Sequence, residues 1–184
     1  MDRIGALPDD LLSLVLSFLA TKDAVQSSVL SRRWRRLYRS VTSLDLNDGM
    51  QSSKKKLRGV VCRVLMPRYM PKIEKLRFRC DCVLKIDMTY VREWITGFVC
   101  YEVRELELML TNCKVDMLPH CLFNSPTLVV LKLGFLVDSC HSLRIPMLVS
   151  LSCLRVLHLE GVQVPEVILL VGSSGVVLCS KICA

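Results

Sequence analysis

One short phrase recurs five times along this chain, and its spacing limits what the chain can become. It reads "VTSLDLN" at 41–47, "IEKLRFR" at 73–79, "VRELELM" at 103–109, "LVVLKLG" at 128–134 and "LRVLHLE" at 154–160. Each copy holds an apolar residue, two variable positions, a second apolar residue, one variable position and a third apolar residue. Alternation of this kind marks a strand buried on one face only. The middle residues Leu44, Leu76, Leu106, Leu131 and Leu157 follow one another at gaps of about 25 to about 32 residues, near or slightly above the spacing of leucine-rich repeats.

Units repeated at that spacing are expected to stack, each covering its neighbour's apolar edge. The intervening "LRGVVCRVLM" and "YVREWITGFV" have helical spacing, whereas "SLRIPMLVSL" is ambiguous. The basic connector "SSKKKLRG" (52–59) reads as a solvated loop, because a short basic run without interleaved aromatics carries little specificity. The variable positions beside the paired leucines share the face opposite the core. They are Asp45, Lys75, Arg77, Arg79, Glu105, Glu107, Lys132, His158 and Glu160, and their sign alternates from strand to strand. Such a face suits either a charge-patterned ligand or mutual pairing of its own side chains.

Residues 1–40 have a different period and predict helices. Pro8 fits a first helical turn, Asp9 and Asp10 lie at the positive end of the helix, and Thr21 and Ser31 are permissible caps for two further helices. Between Leu11 and Leu19 only Ser13 and Ser17 are polar. A helix packed on one neighbour needs a single apolar stripe, and this one is apolar nearly all round while too short to span a bilayer. A module of about 40 residues is also near the limit of independent stability. One side of the helix is expected to pack on its successors, and the other needs a partner.

Chemistry finds little footing. His120, His141 and His158 are the only histidines, and none sits in a nucleophile arrangement; no glycine-rich phosphate loop is present. Cys80 and Cys82 continue the alternation of Leu76 and Phe78 onto the buried face, and a one-residue separation is poor for zinc. The ten cysteines are scattered, and with no signal peptide in "MDRIGALPDD" they read as reduced thiols of the cytoplasm or nucleus. No cofactor or metal is expected. A net charge of +8 alone is weak evidence for nucleic acid. The tail 165–184 is apolar, without charge between Glu166 and Lys181, and shorter than a membrane span needs; it reads as a divergent tail and a poor cap for a repeat array.

Several blocks resemble a known family. The segment "DRIGALPDDLLSLVLSFLATKDAVQSSVLSRRWRRLYRSVTSLDL" (2–46) is similar to the F-box of the large plant F-box/leucine-rich-repeat family, FBD-type group; "VREWI", "VRELEL", "LPHCLFNSPTLVVLKL" and "LRVLHLEGV" extend the likeness to about residue 164. Ala20 stands where the family commonly has proline, and Tyr38 where it commonly has tryptophan. The resemblance implies an α/β chain: a three-helix F-box at 1–40, then a partial leucine-rich-repeat solenoid with parallel strands at 41–164, ending short of the family's usual length.

It also implies a non-catalytic substrate-recognition subunit of a ubiquitin ligase, docking a Skp1-like adaptor and through it a cullin, with an unknown protein target and neither nucleic acid nor membrane as partner. The expected adaptor contacts are Leu7, Pro8, Leu11, Leu12, Val15 and Leu16, with Val25, Val29 and Trp34 shared between contact and core. Leu19, Leu30 and Leu37 are expected inside. Expected target contacts are Arg77, Arg79, Glu105, Glu107, Lys132, His158 and Glu160. The competing expectations are a decoy that occupies the adaptor without delivering targets, and a basic nucleic-acid-associated protein using "SRRWRRLYR" and "SSKKKLRG".

Overall fold

Three short helices lead into a parallel sheet. The structure, a computed structural model, describes residues 4, 6–19, 21–27, 29–38, 41–47, 61, 73–81, 88–111, 118–136, 149–161 and 177–181. The connector 52–59, Cys82, His141 and most of the tail lie outside them.

Helix α1 (Asp9–Phe18) follows Pro8 at its N-cap and carries Asp9 and Asp10 in its first turn. It stops where Leu19 turns extended and donates its N–H to Leu16 O at 3.2 Å. Helix α2 spans Thr21–Ser27 and α3 spans Arg32–Tyr38. Ser31 caps α3: its Oγ accepts the Trp34 N–H at 3.3 Å, which satisfies one of the donors a helix start leaves open. Arg33 ties α3 back to α1, with Nε donating to Asp9 Oδ1 at 2.6 Å and Nη2 to Leu7 O at 2.5 Å. The three helices enclose a small core of Leu12, Leu16, Ala24, Trp34, Leu37 and Val41, with Leu7 and Tyr38 packed against it. Burial pushes the Tyr38 phenol up to about 12, so it stays neutral.

The sheet runs β1 (Ser43–Asn47), β2 (Lys75–Asp81), β3 (Glu105–Thr111), β4 (Val130–Leu136), β5 (Val156–Glu160) and β6 (Val177–Lys181), in chain order and parallel throughout. All five phrases form strands in register, with Leu44, Leu76, Leu106, Leu131 and Leu157 side by side. The sixth strand comes from the tail and places Leu178 beside Leu157. The repeat also extends to the backbone. Thr42 O accepts from the N–H groups of Glu74 and Lys75, and Glu74 O from those of Arg104 and Glu105. Arg104 O does the same for Val129 and Val130, and Val129 O for Arg155 and Val156. Each acceptor stands two residues before its phrase's middle leucine, so β2, β3, β4 and β5 all enter on the same hook.

One face of the sheet is the core. Leu76, Phe78, Leu106, Leu108, Leu131, Leu133, Leu157 and Leu159 are all buried there. Helix α4 (Met88–Cys100), between β2 and β3, packs on it through Val91, Trp94, Ile95 and Phe98, the spacing of a single helical face. Phe78 meets the Trp94 ring edge-on at 5.8 Å between centroids and lies 6.0 Å from Phe98. Between β3 and β4 the cover is a 3₁₀ turn, His120–Asn124, burying Leu122 and Phe123. Cys80 is buried on this face, as the alternation predicts.

The outer edge of β1 is met by the helical module. Buried Thr21, expected as a cap, instead accepts the Asp45 N–H at 2.6 Å, which occupies a donor that an edge strand leaves open.

Two stability outcomes follow. Leu108→Ala empties a fully buried site between α4 and the neighbouring strands, and should cost about 2–5 kcal/mol in chemical denaturation. Gly161→Ala should destabilise the chain by at least about 1 kcal/mol in the same assay: φ is +67°, and an added Cβ would lie 1.9 Å from Phe135 O.

Candidate functional site

Helix α1 carries two apolar stripes. Leu12 and Leu16 (i, i+4) turn inward and are fully buried. Leu11, Leu14, Val15 and Phe18 (i, i+3, i+4, i+7) form a second stripe about 100° wide. Their exposures are 48%, 52%, 42% and 81%. Further apolar exposure comes from Leu19 at the end of the helix, from Val29 and Leu30 between α2 and α3, and from Ile4. Fully burying one such side chain contributes roughly 1.5–3 kcal/mol. A stripe of this kind is costly in water and useful against a partner.

This placement revises the expected contacts. Leu12, Leu16 and Trp34 belong to the core of the module, because they face the neighbouring helices, and have almost no surface to offer. Leu7 is half-buried against that core, Pro8 is exposed, Val25 is half-buried and Val29 is fully outside. Leu19 and Leu30, expected inside, are exposed because the chain leaves helical geometry at both positions. Leu37 is buried as expected. Leu14 and Phe18 were not anticipated, although their spacing from Leu11 was visible. Of the arginines in the basic segment 31–39, Arg33 is held by Asp9 and Leu7, while Arg32, Arg35 and Arg36 are exposed.

The second surface is the open face of the sheet. Its central row, in register, is Asp45, Arg77, Glu107, Lys132 and His158. Arg77 Nη1 lies 3.5 Å from Asp45 Oδ2, and its Nε lies 3.0 Å from Glu107 Oε1. That Nε–H is not directed at the oxygen, so the contact is an ion pair without a hydrogen bond. Arg79 Nη2 reaches the same Glu107 oxygen at 3.5 Å, and Lys75 Nζ lies 2.8 Å from Glu105 Oε2. Mutual pairing therefore accounts for the charges on β1–β3. It does not extend to β4 and β5: among the described residues, Lys132, His158 and Glu160 have no ion pair within 4.0 Å. A groove of about 280 Å³ lies on this face, bordered by Lys75, Arg77, Glu105 and Glu107 on one side and by Val130, Lys132 and Val156 on the other.

Among the described residues, no three His, Cys, Asp or Glu side chains gather as a metal site would require, and no helix is long and apolar enough to cross a membrane.

Comparison with known proteins places these surfaces in context. The F-box domain family matches residues 4–44, which takes in α1, α2, α3 and the start of β1. An FBD-associated F-box protein of Arabidopsis thaliana is 35% identical over 170 residues, covering 89% of this chain and 40% of that protein. An Arabidopsis F-box protein is likewise 35% identical over 170 residues, covering 89% of this chain and 51% of its own length. An Arabidopsis F-box/FBD/LRR-repeat protein is 33% identical over 166 residues, covering 90% and 36%. The chain thus spans about half or less of the length of these relatives. No solved structure matches it significantly. With three N-terminal helices where the F-box matches and a run of leucine-phrased parallel strands behind them, the chain carries an F-box and is similar over most of its length to the F-box/leucine-rich-repeat proteins of plants.

Proposed function

We propose that this chain is a substrate-recognition adaptor of a Skp1–cullin–F-box ubiquitin ligase, acting in the cytoplasm or nucleus. The outer stripe of α1 docks a Skp1-like protein, and the strands behind it present a target to the ligase. The chain's own role is attachment, and bond chemistry falls to other subunits. The observation that carries this reading is the second apolar stripe, Leu11, Leu14, Val15 and Phe18, exposed within a segment that matches the F-box. Leu30 and Val29 add further exposed apolar surface to the same helical module. Protein interfaces of standard size bury roughly 800 Å² on each side, which a handful of such side chains and their rim can supply.

The target-presenting half is a leucine-rich-repeat solenoid in this proposal. Three features support it: consecutive strands are always neighbours, β2 to β5 each enter on the same backbone hook, and among the described residues the return segments cover only one face. Parallel sheets in closed α/β domains are covered on both faces. Here the second face carries charges in water, free to meet another protein. Arg77, Arg79, Glu105 and Glu107 form its paired part, and Lys132, His158 and Glu160 have no ion pair among the described residues.

Co-expression with a Skp1-like protein tests the adaptor role. Wild type should purify as a stoichiometric complex. Leu11→Asp/Phe18→Asp, which alters only exposed positions, should lose the complex while the chain keeps its circular dichroism and cooperative melting. Equal complex formation by both proteins would refute the docking assignment.

A further inference from the structure

The charge ladder on the open face stops one partner short. Reading across the strands, Asp45, Arg77, Glu107 and Lys132 alternate in sign at the same register position, and the next residue is His158. Arg77 has an acid on each side. Glu107 is only 14% exposed in its side chain, and its Oε1 is held by Arg77 and Arg79. Lys132 therefore borders a carboxylate that is already engaged on one side and an imidazole on the other. No described residue gives it an ion pair.

Around it the groove has a definite chemistry. The wall from β2 and β3 is electrically cancelled, since Lys75 pairs with Glu105 and Arg77 with Glu107. The wall from β4 and β5 offers two half-buried valines, Val130 and Val156, with Lys132 two residues along β4 from Val130 and beside Glu107 in register. The uncompensated charge in the groove is thus a single cation beside an aliphatic floor. At about 280 Å³ the space falls just below the ~300–1,000 Å³ of sites that enclose a small molecule, and suits one or two protruding side chains.

We propose that this groove seats an acidic side chain of a target protein, with the carboxylate on Lys132 and a neighbouring aliphatic group on Val130 and Val156. The inference rests on the reading of the open face as the target surface and adds the chemistry of what is read there. A charge-assisted hydrogen bond from the ammonium supplies direction, and the valines exclude water around it. The paired wall contributes specificity: a basic target side chain would meet Lys132 without gaining a free acid in the groove's lining, since Glu105 and Glu107 are already engaged.

Selection from a random dodecapeptide display library on the full chain, alone or in complex with a Skp1-like protein, tests this. Wild type should enrich peptides with Asp or Glu at one position next to an aliphatic residue. Binding of a selected peptide should fall about tenfold in Lys132→Met, which keeps the aliphatic stem and removes the charge. Lys132→Glu should select Lys or Arg at the same peptide position. No enrichment of acidic peptides, or the same peptides bound equally by wild type and Lys132→Met, would overturn the proposal. So would a single-stranded DNA oligomer whose binding alone depends on Lys132. Since Lys132 lies on the sheet and not on α1, both variants should retain the Skp1-like complex, so a failure of docking and a failure of the groove give different readouts.

Discussion

Side-chain alternation along a parallel strand divides this molecule. Each phrase sends its leucines to one side and its charged residues to the other, and in-register stacking repeats that division five times over. A one-residue slip in any strand would bury a row of charges and expose a row of leucines. The register is further held by a recurring carbonyl just before β1, β2, β3 and β4 that accepts two N–H groups of the next unit. Because the described return segments, α4 and the 3₁₀ turn, cover the leucine side, the charged side is left as a surface among the described residues. The proposed target surface follows from the same pattern that folds the sheet.

The N-terminal helices break that economy in one place. The sheet and α4 leave few large apolar side chains uncovered among the described residues, whereas α1 and the α2–α3 link expose Leu11, Leu14, Val15, Phe18, Leu19, Val29 and Leu30. Helix α1 has two stripes, and the described residues cover one. Thr21 and Asp45 fasten this module to the edge of the sheet. A partner gripping α1 is thereby held in a fixed relation to β1, and through it to the open face. The proposed adaptor role would use that fixed relation, holding a target on the strands at a defined distance from proteins docked on the helices.

Much of this was legible beforehand because it depends on period. The strands, their register, the buried face with Cys80 and the helix around Trp94 follow from alternation and 3.6-residue spacing alone. What period could not decide was which of two apolar stripes faces inward. Leu12/Leu16 and Leu11/Leu14/Val15/Phe18 are both credible, and the choice depends on where α3 lies, set in part by Arg33 reaching Asp9 and Leu7 over a long stretch of sequence. The sixth strand was hidden for a different reason. Its Ser180 stands beside Leu159, so the third apolar position of the phrase is missing. Pairing of Arg77 with both Asp45 and Glu107 could be guessed from alternating sign, but that Lys132 would be left over required the geometry.

The account depends on the outer stripe of α1 being open in the isolated chain and closed by an adaptor. Hydroxyl-radical footprinting reads side-chain access directly, with Phe18 as the reporter and buried Trp94 as the internal control. Phe18 should oxidise readily in the chain alone and become strongly protected when a Skp1-like protein is bound, while Trp94 stays unreactive in both. Phe18 already protected in the free monomer, or equally reactive in an established complex, would contradict it.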